Sequence, residues 1–331
     1  MTRPRFLPDN FTLSLIVVVT LASFFPCSGQ AAVAFDWLTN VAIGLLFFLH
    51  GAKLSREAIV AGATHWRLHL LIFAFTFVMF PLLGLAFKPL LAPLVTPDLY
   101  LGILFLCALP ATVQSAIALT SVARGNVPAA ICSASASSLL GIFLTPLLVK
   151  FLMSTSGESG VSFEAVGKIL VQLLLPFVLG QLMRRWIGGW VARHRGLVKS
   201  IDQGSILLVV YTAFSEAVVS GLWHQTSSAT LAGVVLVCAV ILAAALLVTT
   251  CVSRALGFSK EDEITIVFCG SKKSLATGIP MAKVLLSSST AGAIVLPLMI
   301  FHQMQLMVCA VLVRRYASRP EAAPAADAKA A

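Results

Sequence analysis

Residues 264–285 read Ile264-Thr-Ile-Val-Phe-Cys-Gly-Ser-Lys-Lys-Ser-Leu-Ala-Thr-Gly-Ile-Pro-Met-Ala-Lys-Val-Leu285. The segment is apolar and long enough to cross a bilayer, yet Lys272 and Lys273 stand at its centre among small and helix-breaking residues. A charge at that depth costs roughly 2.5 kcal/mol or more on insertion scales, so such residues face protein, water or a ligand rather than lipid. The pair therefore marks a polar site inside a membrane protein.

Composition agrees. Hydrophobic residues make up 59% of the 331 and charged residues 11%, with mean hydropathy +0.97; soluble domains are about 45–50% apolar and about 25% charged. The apolar runs are continuous, which excludes the alternating strands of an outer-membrane barrel. A net charge of +10 would suggest nucleic acid for a soluble protein; here topology explains it, and no nucleic-acid partner is expected. The seven cysteines lack metal-ligand spacing and read as small packing residues. Enzyme signatures are missing: no Gly-rich phosphate loop, no His-Glu-x-x-His and no Gly-x-Ser-x-Gly. Ser271 beside Lys272 and Lys273 is a weak hint of a Ser–Lys dyad, and no enzyme activity is expected.

Ten apolar spans are predicted, near 11–26, 36–52, 68–92, 99–121, 127–150, 165–187, 204–222, 229–253, 264–285 and 289–312. With the N-terminus inside, the inner segments hold 17 of the 23 Lys and Arg, the outer ends hold 3, and the last 3 are lysines of span nine. Cytoplasmic loops retain Lys and Arg, so both termini are expected in the cytoplasm, with the chain multi-pass in the cytoplasmic (inner) membrane. A cleaved secretory signal is the rival reading of the first span. The Ala- and Pro-rich tail, 317–331, is expected to be disordered.

Ten spans divide into two five-span halves, residues 1–153 and 154–316, of opposite orientation, with the basic segment 188–203 as an inner loop. The expected fold is thus all-α and polytopic, two inverted five-helix repeats. The fourth span of each half carries polar residues beside Pro or Gly: Pro110 with Gln114 and Ser115, and Gly270, Gly278 and Pro280 around Ser271, Lys272, Lys273 and Ser274. Pro removes a backbone donor and Gly relaxes the helix. Matched interruptions point to a transport site near the midplane, where half-helix ends offer amides to anions and carbonyls to cations. Glu216, an acid deep in span seven, reads as a pore-lining residue, a coupling carboxylate or a partner for Lys272 or Lys273. His302, Gln303 and Gln305 extend a polar path or hydrogen-bond between helices. The serines of span five suit either tight helix packing or ion ligation. His50, Lys53 and Arg56 mark an interface or gate.

Pro110-Ala-Thr-Val-Gln-Ser-Ala, then Ala123-Arg-Gly-Asn-Val and Cys132-Ser-Ala-Ser-Ala-Ser-Ser-Leu-Leu, resemble the bile acid:sodium symporter family. Phe48-Leu-His-Gly-Ala-Lys-Leu-Ser and Phe268-Cys-Gly-Ser-Lys-Lys-Ser-Leu-Ala narrow the likeness to a divergent branch. That branch holds bacterial sodium-dependent transporters and a eukaryotic orphan carrier linked to calcium regulation. The resemblance implies a core of spans three to five and eight to ten, a panel of spans one, two, six and seven, and crossing broken helices four and nine. It implies sodium near the crossing, with Gln114, Ser115, Ser133, Ser135 and Ser137 on the matching positions. The symporters place a glutamate and a glutamine at the ninth break; this chain has lysines nearby. An ammonium donates only, so it cannot ligate sodium but can occupy a cation's position.

The expected function is secondary active transport of a small anionic organic solute by alternating access. The expected site is Gln114, Ser115, Ser133, Ser135, Ser137, Glu216, Ser271, Lys272, Lys273, Ser274, His302 and Gln303. Sodium is the family's coupling ion and a proton the physical alternative; no other cofactor or metal is expected. The partners are the lipid bilayer and the solute. The alternative function is a non-transporting regulator or sensor of ion (calcium) homeostasis.

Overall fold

The structure is a computed structural model and describes residues 10–53, 65–154, 163–219, 221, 227–286 and 288–319. The tail beyond Arg319 therefore lies outside the described residues. Every regular element among them is helical: α1 (Asn10–Phe24), α2 (Gly29–Lys53), α3 (Trp66–Ala86), α4 (Pro97–Ala108), α5 (Gln114–Val122), α6 (Val127–Ser154), α7 (Phe163–Arg193), α8 (Arg195–Val219), α9 (Ser228–Ala255), α10 (Lys260–Gly270), α11 (Leu275–Leu285) and α12 (Ser288–Ala317). Six helices within the described residues are long and apolar enough to cross a membrane: α2, α3, α6, α8, α9 and α12. Large apolar side chains such as Trp37, Leu70, Leu90, Leu182 and Leu247 are more than half exposed. In water this would be a liability; against lipid it is the expected outer surface. The chain is an all-helical polytopic membrane protein.

Local chemistry fixes several ends. Ser227 and Ser259 cap α9 and α10, accepting from the amides of Thr230 and Asp262, and Glu261, Asp262 and Glu263 place negative charge on the first turn of α10. Gly257, at φ +71°, closes α9. One expectation fails here. Residues 188–203 form no loop: α7 runs to Arg193 and α8 starts at Arg195, leaving only His194 between them. Basic residues are good helix formers, so both helices continue past their apolar stretches.

α3 contains a π turn at Phe75–Met79, in which the Phe80 amide bonds the Phe75 carbonyl. The extra residue shifts the helix register, and Pro81 follows without an amide hydrogen. α2 and α7 pack backbone to backbone: a Cβ on Gly51 would collide with the Phe177 carbonyl, and one on Gly180 with the Phe48 carbonyl. α1 lies along α8, with Leu15 and Ala22 buried and the Tyr211 hydroxyl donating to the Phe25 carbonyl at 2.8 Å.

Gly180→Leu is expected to lower the unfolding temperature in detergent, because overpacking costs roughly 1–3 kcal/mol or more where only backbone stands opposite. An unchanged melting curve would contradict this helix contact.

Candidate functional site

The fourth expected span is interrupted between α4 and α5, and the ninth between α10 and α11. At the first break Leu109 is extended (φ −74°, ψ 153°). At the second, Ser274 is extended (φ −85°, ψ 112°) and caps α11 through a bond from the Thr277 amide. The Ser274 amide donates to the Pro110 carbonyl at 2.9 Å, so the two breaks meet backbone to backbone.

Interrupting a helix inside a membrane frees polar groups that must be satisfied by protein. At the first break the Ala111 amide donates to Ser137 Oγ at 3.1 Å, and Thr145 Oγ1 donates to the Ala108 carbonyl at 2.9 Å. At the second, Gln305 bridges both sides of one residue. Its Oε1 accepts from the Lys273 amide and its Nε2 donates to the Lys273 carbonyl, each at 2.9 Å. The His302 ring nitrogen Nδ1 lies 2.9 Å from the same Nε2.

The two lysines diverge, and both are completely buried. Lys273 Nζ donates to the carbonyls of Thr76, Cys107 and Leu109 at 2.8, 2.9 and 2.7 Å, and lies 4.2 Å from the centre of the Phe80 ring. Lys272 Nζ turns the other way and donates to Ser115 Oγ at 2.9 Å, on the first turn of α5.

Beside the crossing is a cavity of about 1010 Å³. Thr112, Ser115, Ser274 and Thr277 lie at its inner end, the exposed Lys53, Lys199 and Arg314 line it further out, and Leu139, Phe177 and Leu306 are among its apolar walls. The amino ends of α5 and α11 therefore both reach it. The hydroxyl oxygens of Thr112 and Thr277 are buried there without a hydrogen-bond partner. Amide dipoles, two hydroxyls, the ammonium behind Ser115 and a basic rim make this end suited to an anion. Asp202, also on the wall, is paired with Lys53.

The structure gathers Gln114, Ser115, Ser135, Ser274, His302 and Gln303 around this cavity, with Lys272 one side chain behind. Other expected site residues lie elsewhere. Ser133 Oγ is 2.6 Å from His69 Nδ1, Ser137 supports the first break, and Ser271 Oγ bonds back to the Val267 carbonyl. Glu216 pairs with neither Lys272 nor Lys273. Its Oε1 accepts from Lys283 Nζ at 2.6 Å, and Asp36 Oδ1 is 3.1 Å from the same ammonium. The physical reason is reach: Lys283 lies at the far end of α11, whereas Lys272 and Lys273 are committed to α5 and to α3 and α4. The break falls at Ser271–Ser274. Pro110 is at the first break and Gly270 ends α10, but Gly278 and Pro280 lie inside α11. Gly278 serves contact instead, since a Cβ there would meet the side chains of Leu109 and Leu298. Thr112, Thr277, Thr76, Asp202 and Lys283 were not anticipated as parts of the site; only Thr112, close to Pro110, and Thr277, next to Gly278, had a local signal. Among the described residues no group of three or more His, Cys, Asp or Glu could hold a metal ion.

A helical membrane protein with two interrupted helices meeting beside a cavity that has a polar inner end and apolar walls has the build of a transporter. A family model of the SBF-like CPA transporter family matches residues 9–318, and the chain belongs to that family. It is 70% identical over 330 residues to an uncharacterized protein of Pseudomonas aeruginosa, covering 100% of this chain and 99% of that one. It is 62% identical over 313 residues to the Escherichia coli K12 protein named "Putative symporter YfeH", covering 95% of this chain and 94% of that one. It is 31% identical over 319 residues to sodium/bile acid cotransporter 7-B of Xenopus laevis, covering 93% of this chain and 92% of that one.

Gln305→Leu is expected to lower thermal stability, because it leaves the buried Lys273 amide and carbonyl unpaired, at about 1–3 kcal/mol per unsatisfied group. Gln305→Glu keeps only the acceptor and should fall between the two proteins in a detergent melting series.

Proposed function

We propose that the protein is a secondary active transporter of the cytoplasmic membrane that carries a small organic anion by alternating access. The observation that carries this reading is the cavity ending on the amino ends of two half-helices, with the unpartnered hydroxyls of Thr112 and Thr277 beside them. A carboxylate there would accept from amides and hydroxyls at once, while Lys272, held by Ser115, adds positive charge. The apolar walls suit a solute with a hydrocarbon body. In this reading the ten spans form two inverted repeats, 1–153 and 154–316, with spans three to five and eight to ten as the core and the other four as the panel.

The basic end of the cavity faces the cytoplasm under the positive-inside rule. The far end is closed by Lys283 of the core, paired with Asp36 and Glu216 of the panel. Each acid lies seventeen residues along its helix from a basic cavity residue, Lys53 or Lys199, about 25 Å at 1.5 Å per residue. The pairing acts as a latch that must open before the cavity can face outward. Coupling is to a cation, sodium by analogy with the relative named as a sodium cotransporter, or a proton.

Purified protein in liposomes, given an imposed sodium or proton gradient and a panel of radiolabelled organic anions, tests the reading. The expected result is gradient-driven uptake that Lys272→Met reduces by about tenfold or more, equivalent to about 1.4 kcal/mol. Folded protein that moves no anion under either gradient would sink it and favour the regulator.

Removing the latch gives a second, separate outcome. Asp36→Asn with Glu216→Gln is expected to increase alkylation of a Ser135→Cys reporter by a membrane-impermeant reagent applied from the periplasmic side. Equal labelling with the latch intact would argue against a gate at Lys283.

A further inference from the structure

We propose that the carbonyls of Thr76, Cys107 and Leu109 form a monovalent-cation cage whose permanent occupant is the ammonium of Lys273, so that this cation is supplied by the chain itself. Each oxygen is available for a stated reason. In α3 the Phe80 amide is spent on Phe75 in the π turn, and the next residue, Pro81, has no amide hydrogen, so neither can close on the Thr76 carbonyl. In α4 the helix ends at Ala108, and the Ala111 amide, which would have bonded Cys107 in a continued helix, goes to Ser137. Leu109 is extended, so its carbonyl leaves the helical ladder.

The three oxygens lie 2.7–2.9 Å from one nitrogen, and the Phe80 ring lies over it. An ammonium has three donors, and all three are used. Among the described residues no carboxylate contributes: Asp36 and Glu216 are held by Lys283, and Glu263 by Arg254 and Lys260. Carbonyl dipoles and a ring face can replace the hydration of a monovalent cation. The spacing is too wide for Mg²⁺ or Ca²⁺, whose oxygens sit about 2.0–2.1 and 2.3–2.6 Å away. The ligand class is therefore ammonium, methylammonium or potassium. The cage joins α3 and α4 to the break before α11, so a cation there holds the crossing together. Any mobile coupling ion must then bind elsewhere. This inference stands independently of whether the protein transports.

The test is cation rescue. Wild type, Lys273→Ala and Lys273→Met are purified in N-methylglucamine chloride, too bulky for the cage, and melted after exchange into potassium, ammonium or methylammonium chloride. Wild type is expected to melt at one temperature in all four salts. Lys273→Ala should melt well below wild type in N-methylglucamine and regain most of the loss in methylammonium or ammonium. Lys273→Met, which fills the space with an apolar chain, should lose stability without recovery. If Lys273→Ala accumulates folded only when solubilised in methylammonium, that yield is the same rescue. The proposal is overturned if Lys273→Ala melts like wild type, if it stays unfolded or equally destabilised in every cation, or if Lys273→Met is rescued equally.

Discussion

A carbonyl released from a helix inside a bilayer has no water to turn to, and the rest of this structure depends on how that demand is met. Two helices are cut open at their midpoints, and a third carries a π turn. Three of the oxygens so freed, one from the π turn and two from the first break, converge on one ammonium, that of Lys273. Other groups at the breaks are taken by a glutamine, a serine, a threonine and the opposite backbone. The cost of burying the charge and the cost of breaking the helices offset each other. Neither feature would be tolerable without the other.

That arrangement divides labour between adjacent lysines. One is saturated by backbone and faces away from the cavity. Its neighbour has a hydroxyl partner on the first turn of α5 and stands behind the cavity wall. Two successive residues can serve such different roles because they sit in the non-helical break, free of the fixed rotation between neighbours in a helix.

Much of this was legible in the chain, and the rest was hidden for identifiable reasons. The apolar runs and the mid-span lysines announce a membrane protein with a polar centre, and among the described residues six helices are long and apolar enough to cross a membrane. The second break opens after Gly270, as expected, but closes at Ser274, ahead of Gly278 and Pro280. Its position is decided by distant partners, Gln305 and the Pro110 carbonyl, rather than by local flexibility. Of the three serines of α6 expected at the site, Ser133 and Ser137 share a face and turn to structural partners, while Ser135, two residues from each, reaches the cavity; helical spacing separates them. The π turn was invisible in Phe-Thr-Phe-Val-Met, with Pro81 its only trace. Pairing with Lys272 or Lys273 was one alternative for Glu216, and Lys283 takes it instead, because sequence says little about which of three lysines on one span comes within reach.

The π turn carries a further lesson about how such centres arise. Inserting one residue into a helix of ordinary apolar side chains displaces a single amide and leaves a carbonyl waiting, with no polar residue gained or lost. A π turn followed by a proline can thus prepare a binding position before any side chain capable of using it has appeared. The polar heart of a transporter would then be assembled in small steps, each tolerable by itself, from a helix whose composition never ceased to look greasy.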